Sequence, residues 1–335
     1  MTKFSAILAT GRISNLPTVW CNVLVAFLLV QLAPVMFGDF PSSIFSVPLF
    51  LVTCIAASCL YVGGCFLGDA VDVEFDKSNK PDRPIPMGVL DRNSIYGYAA
   101  FLLTTGIVLP FAYIKFSTGS FAPSALVASL LLAGAIIIYS LWHKRSPWIG
   151  LPFIGACRFF LVLFGAYIAI TTVPSLQEVF DSHPKAPNDT SITVVCGDEG
   201  VRPIPFLYAL CVGLYTICFA SVARSESSPK PITWRKSLML TMLLLPLLAL
   251  PLNLNILFKA NFDLPSLSAL LLYWLWMVSA FRQINSNKGK FVSMSLAGFC
   301  LLDATFAAQF GWPWILVCLV LFGLSLMLQK WAPAT

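Results

Sequence analysis

The chain has 335 residues, of which 58% are hydrophobic and 11% charged, with a net charge of +6. Soluble domains average about 45–50% apolar and about 25% charged residues. So few charges exclude a water-facing globular enzyme, a disordered chain and a nucleic-acid-binding domain, and leave an integral membrane protein with many spans. The ten cysteines do not suggest a disulfide framework. Only Cys196 falls in an expected loop, and the others sit in or beside apolar runs as small buried residues.

A spanning helix needs about 20 apolar residues. Ten stretches qualify, near 16–36, 44–67, 94–114, 122–142, 149–173, 204–222, 237–257, 265–281, 292–310 and 312–330. Only Gly311, Trp312 and Pro313 separate the last two, so nine spans, with these merged into one broken unit, is the competing count. The first stretch is long enough to cross the bilayer and shows no cleavage site after a short apolar core. It carries Asn15 and Asn22, two helical turns apart on one face, which suit a substrate hydrogen bond or, for Asn22, an interhelical one.

After the second span, Asp69, Asp72, Glu74, Asp76 and Asp82 fall within one short stretch. On a continued helix Asp69, Asp72 and Asp76 share a face, where like charges repel unless a cation joins them. Clustered carboxylates at a bundle mouth suit Mg²⁺, which takes a few carboxylate oxygens and bridges to substrate phosphates. The alternative is a solvated acidic loop. The next residues, Lys77 to Gly88, form a rigid, basic, Pro-rich loop whose Lys80 and Arg83 are placed to hold a diphosphate from the other side. Tyr139 and Lys144 flank the exit of the fourth span, and His143 beside them reads as an interfacial residue.

Arg158 lies inside the fifth span, where a charge costs about 2.5–3.5 kcal/mol unless it faces a cavity or a partner. The segment 174–203 is the longest polar connection and holds Asn188-Asp189-Thr190, a glycosylation pattern on a solvated linker. After the sixth span come Ser221 to Ser227, with Arg224 and Glu226, in a basic loop running to 236. Asp303 lies within the ninth stretch and reads as a structural partner for a cation or hydroxyl.

Sixteen of the 21 Lys and Arg fall in one alternate set of segments: Lys3 and Arg12, then within 77–92, 144–145, 224–236 and 282–290, and Lys330. The positive-inside bias makes these cytosolic, with both termini. The net charge is then a topology signal, and no nucleic-acid partner is implied.

At the acidic stretch the chain resembles the UbiA family of intramembrane prenyltransferases. Asp69, Asp72 and Asp76 match the aspartates of its Asn-Asp-x-x-Asp-x-x-x-Asp motif, and Lys80 to Gly88 match the following Lys-Pro-x-Arg-Pro-Ile-Pro-x-Gly stretch. Gly68 stands where the family has Asn. The resemblance extends through Gly11-Arg12-Ile13-Ser14-Asn15, Tyr139, Lys144, Arg158 and Gly165-Ala166, and weakens after about residue 240. The opening Gly-Arg-Ile-Ser-Asn-Leu-Pro-Thr stretch resembles the bacterial branch associated with Ebo-type gene clusters.

The resemblance implies one domain over 1–335, an all-α integral membrane protein with a bundle of nine to ten transmembrane helices around a central cavity. It implies a first Asp-rich cytosolic loop at 68–93, a non-cytosolic loop at 174–203, a degenerate second-motif loop at 221–236 and a bacterial inner-membrane location. It further implies a Mg²⁺-dependent transfer from a prenyl diphosphate to an aromatic or other small lipophilic acceptor among membrane lipids. Asp69, Asp72 and Asp76 would be the catalytic metal ligands. Asn15, Asn22, Lys80, Arg83, Tyr139, Lys144, Arg158 and Arg224 would bind substrate. The chain departs from the family at the second motif, usually Asp-x-x-x-Asp. There Glu226 offers one metal carboxylate and Arg224 a guanidinium for phosphate. That departure keeps open a non-catalytic prenyl-lipid carrier. A CDP-alcohol phosphotransferase needs Asp-Gly, whereas Val73 follows Asp72, and its second half-motif is absent.

Overall fold

The computed structural model describes residues 2–30, 45–119, 121–144, 147–171, 203–225, 234–252 and 263–331. Among them there are helices and no strands. A short α1 (Lys3–Thr10) and a 3₁₀ turn (Ile13–Asn15) lead into α2 (Leu16–Val30). Next come α3 (Val47–Val71), the short α4 (Val73–Asn79), α5 (Arg92–Thr118), α6 (Pro123–Trp142) and α7 (Pro147–Ile170). The rest are α8 (Pro203–Arg224), α9 (Arg235–Leu244), α10 (Leu264–Phe281), α11 (Lys288–Ala307) and α12 (Trp312–Gln329). The chain is thus an all-α bundle.

Nine of the described helices are long and apolar enough to cross a membrane. The count is nine for a different reason from merging the last two stretches. Those two are separate helices, because Gly311 at φ +94° turns the chain in a conformation that L side chains rarely adopt and Pro313 starts α12. The short one is the stretch expected at 237–257. Its apolar helix covers only Lys236–Ala249. Helix α9 passes into a 3₁₀ segment (Leu245–Leu252) where Pro246 and Pro251 lack the N–H that an α-helix needs. The linker expected at 174–203 lies outside the described residues, apart from Pro203 at the start of α8.

Side-chain pairs set the direction of each helix. Arg12 meets Asp69, Asn15 meets Tyr61 and Trp20 meets Ser58, so α2 and α3 are antiparallel. Tyr208 meets Asp303, Tyr215 meets the Ser295 carbonyl and Lys288 the Ser225 carbonyl, so α8 and α11 are antiparallel too. Helix α12 returns toward the start of α2, with Ser325 Oγ 3.4 Å from the Ser14 carbonyl. The chain therefore alternates direction, and 12, 69–92, 139–144, 224–225, 288 and 329 gather at one end.

The first span (Ile13–Val30) and Lys288–Phe310 are each 89% buried, against 17% for α12. Helices α2 and α11 are thus the axis of the bundle, and α5, α10 and α12 form its apolar outer wall. In lipid, exposing apolar surface costs nothing, so packing and interhelical hydrogen bonds hold such a bundle together. Close backbone approach supplies the packing. A Cβ on Gly106 of α5 would lie 2.6 Å from Leu60 Cγ and 2.8 Å from the Ala56 carbonyl of α3. One on Gly155 of α7 would lie 2.6 Å from Ile217 of α8.

Candidate active site

Helix α3 runs beyond the expected end of its span and carries Asp69 on its last turn. Asp72 is the joint between α3 and α4, and hydrogen bonding stays nearly helical across it, Asp72 N to Gly68 O and Asp76 N to Asp72 O. The three aspartates are 9%, 7% and 1% exposed. They do not all turn to one point. Arg83 Nη1 donates to both Asp69 Oδ1 (3.2 Å) and Asp76 Oδ2 (2.7 Å), and Arg12 Nη2 stands 3.5 Å from the same Asp69 oxygen. Asp72 instead faces α6, with its Oδ2 3.1 Å from His143 Nε2 and 3.6 Å from Lys144 Nζ.

The loop delivers Arg83 because its own apolar residues are seated. Ile85 and Leu90 are buried with Ala6, Phe66, Ala70, Ile95 and Ala99 of α1, α3 and α5. Arg92 Nε donates to the Ala70 carbonyl, one of the orphan acceptors at the end of α3. Asp91 caps α5 by accepting from Ser94 N at 2.8 Å, which holds its carboxyl below the usual range.

Arg12 is the one non-glycine residue with positive φ among those described (φ +46°). Such a backbone costs of order 1 kcal/mol and persists where its surroundings fix it. Here it turns the chain from α1 into α2 and aims the guanidinium at Asp69.

Tyr139 stacks on His143 at 4.7 Å, and its carbonyl lies 3.0 Å from His143 Nδ1. Lys144 sits over the Phe75 ring. Arg224, at the end of α8, donates to the His143 carbonyl at 3.0 Å, so the end of α8 meets the end of α6. Lys80 is an exposed residue after α4. Glu226 lies outside the described residues. Gly68 has room: a Cβ there would meet only Ser140 Oγ, at 3.8 Å.

Toward the bundle interior, Arg158 Nη1 donates to Asn22 Oδ1 (2.8 Å) and Nη2 to Thr18 Oγ1 (3.0 Å). Its guanidinium lies over the Phe299 ring at 4.5 Å and near that of Tyr61 at 5.8 Å. Asn22 Nδ2 donates to Asp303, as does Tyr208 Oη at 2.8 Å. Asn22 thus bridges a buried cation and a buried carboxylate, while Asn15 donates to Tyr61 Oη. The structure brings Asp69, Asp72, Asp76, Arg83, Tyr139, Lys144 and Arg224 to one end, and places Asn22 and Arg158 in the core. Sequence reasoning did not select Arg12, His143, Tyr61 or Tyr208. Arg12 lies within the Gly11–Asn15 stretch, His143 reads from sequence as an interfacial residue, and Tyr61 and Tyr208 carry no separate signal.

Asp69, Asp72 and Asp76 present hard oxygen donors, and Asp76 Oδ1 is buried with no hydrogen-bond partner. These residues fit Mg²⁺, which needs only one or two carboxylates beside substrate phosphates. Among the described residues no three His, Cys, Asp or Glu side chains form a ready-made cage.

A sequence model of the UbiA prenyltransferase family matches residues 32–299. The chain belongs to the UbiA prenyltransferase family. A digeranylgeranylglyceryl phosphate synthase of Methanococcoides burtonii is 31% identical over 219 residues, 63% of this chain and 72% of that one. A synthase of the same name from Methanoculleus marisnigri is 30% identical over 122 residues, 36% of this chain and 41% of that one. A solved UbiA homolog from Aeropyrum pernix K1 superposes with a TM-score of 0.56 at 16% identity, covering 88% of this chain and 98% of that one. A structure described as digeranylgeranylglyceryl phosphate synthase in membranes gives a TM-score of 0.54 at 19% identity, covering 96% and 100%. The last two establish the fold. This UbiA chain is a prenyltransferase and an integral membrane protein.

Proposed function

We propose that this chain transfers a prenyl group from a prenyl diphosphate to a lipophilic acceptor, with Mg²⁺, at the polar end of the bundle. The observation that carries the reading is the meeting there of three buried aspartates with Arg12, Arg83, His143 and Lys144. Asp69, Asp72 and Asp76 hold the metal. Bound Mg²⁺ supplies charge neutralisation for the diphosphate leaving group. Arg12, Arg83 and Lys144 take negative charge that grows on the leaving oxygens as the allylic C–O bond stretches, and fixed cations favour that transition state over the ground state. The apolar interior excludes water from the prenyl cation. A nucleophilic atom of the acceptor then closes the new bond. Arg224 takes the place of an acidic second-motif ligand as a direct phosphate contact.

The synthase name of the two relatives favours an acceptor carrying a glyceryl phosphate head over an aromatic one. A cytosolic mouth follows from the positive-inside bias of the loops around the site. Labelled geranylgeranyl or farnesyl diphosphate, incubated with the purified protein and a lipid extract, tests the reading. Release of diphosphate should require Mg²⁺ and fall at least about 100-fold in Asp72→Ala. Normal turnover by that variant overturns it. The second motif favours one other reading, since residues 221–227 contain no aspartate. A carrier would bind prenyl diphosphate and release none in the same assay.

A further inference from the structure

We propose that Arg83 is a resident counter-cation of the aspartate site, which a metal–diphosphate must displace from Asp69 and Asp76 and which then turns to the diphosphate. The inference rests on the metal–diphosphate reading above and adds an order of events to it.

One guanidinium nitrogen of Arg83 touches both carboxylates, at 3.2 and 2.7 Å. These are charge-assisted bonds to oxygens that a hard cation would take. Asp76 is 1% exposed, and its other oxygen, Oδ1, is buried without a partner. That oxygen is the unused half of a carboxylate whose first half is committed to Arg83. A cation binding Asp69 and Asp76 together gains Oδ1 but competes with Arg83 for Oδ2 and for Asp69 Oδ1.

The loop makes exchange by the side chain alone feasible. Its backbone is fixed by Ile85 and Leu90 in the apolar cluster and by Val89 and Leu90 N–H groups on the Pro84 carbonyl. The Arg83 side chain keeps 21% of its surface exposed, against 1% for Asp76. Arg83 therefore leaves by rotation while the loop stays. Asp72 has different partners, His143 and Lys144, so the exchange at Arg83 concerns Asp69 and Asp76 alone.

The test uses the purified full chain in detergent, with Mg²⁺ alone as probe and thermal unfolding as readout, followed by Mg²⁺ with inorganic diphosphate. Without Mg²⁺, Arg83→Gln should unfold at lower temperature than wild type, because buried Asp76 loses its cation and Asp69 keeps only Arg12. Its apparent Kd for Mg²⁺ should be about tenfold tighter than that of wild type, since the competitor for charge-assisted bonds is gone. Its response to diphosphate with Mg²⁺ should be weaker than wild type. Arg83→Lys, which keeps one charge but not the planar guanidinium, should fall between on all three measures and covers the case in which Arg83→Gln does not fold. Mg²⁺ binding that is unchanged or weaker in both variants overturns the exchange, even where wild type responds to Mg²⁺ and diphosphate. A wild type that responds to neither overturns the underlying metal–diphosphate reading instead.

Discussion

Arg158 and Asp303 carry opposite charges in the core, yet Asn22 stands between them. Its carbonyl oxygen accepts from Arg158 and its amide donates to Asp303. Removing one partner of a buried charge network leaves the other uncompensated, at a cost of about 3–5 kcal/mol. Asp303→Leu should therefore destabilise the chain by about 3 kcal/mol, because Arg158 loses its distant counter-charge and Tyr208 its acceptor. Arg158→Met in the same chain should recover part of that loss, read as a double-mutant cycle by thermal unfolding. Strict additivity would show that the two charges do not communicate through Asn22. Residues at this scale were unevenly legible. Asp69 and Asp76 are seven residues apart on nearly continuous helix, so spacing alone puts them on one face, and Arg83 joins them because the short loop after α4 folds back. Asn22 and Asp303 are 281 residues apart, and Arg12 and Asp69 are 57 apart. Nothing local fixes the register of two such helices, so these pairs emerge only from the packed bundle.

Spans were legible as elements because each satisfies its own backbone hydrogen bonds and must be apolar over its whole length. Their ends were less so. Helix α3 runs on through Asp69, since Arg12 and Arg83 neutralise a carboxylate that hydropathy treats as a stop. The apolar stretch at 237–257 misled for the opposite reason: its composition suits lipid, but Pro246 and Pro251 break the α-helical ladder. How closely elements approach was also hidden, because a glycine in an apolar run reads the same at a contact and on an outer wall. Gly106 and Gly97 of α5 separate the two cases. A side chain on Gly106 meets the α3 backbone, whereas one on Gly97 meets nothing within 4 Å. Gly106→Leu should lower stability by about 2 kcal/mol through forced separation of α3 and α5. Gly97→Leu should be neutral or slightly stabilising, since it replaces the poorest helix former short of proline. Equal unfolding temperatures for the two variants would mean that this close approach does not hold the helices together.

The whole bundle arranges these elements so that its polar chemistry lies at one end. Each pair of contacting helices fixes the direction of the next, and the turns at 69–92, 224–225 and 281–288 fall with Arg12 and His143. The opposite end is marked by Phe27, Phe45, Phe50 and Trp314, whose rings meet at 5.4–5.9 Å. Helix α5, of 27 residues, is about 40 Å long, enough to carry the chain from one face of a bilayer to the other. Lys77 and Ser286 should thus share a side, and Ser117 should lie opposite; all three are exposed. The cationic bias of the first two neighbourhoods makes their side cytosolic. Cysteine placed at each position, in a Cys196→Ser background, reads this with a membrane-impermeant maleimide. The nine remaining native cysteines are buried or partly buried, so labelling reports the introduced thiol. Lys77→Cys and Ser286→Cys should label only after cells are permeabilised, and Ser117→Cys in intact cells. Labelling of Lys77→Cys and Ser286→Cys from different sides would break the alternation of the helices. Labelling of both from outside would keep the fold and place the aspartate site on the other face of the membrane.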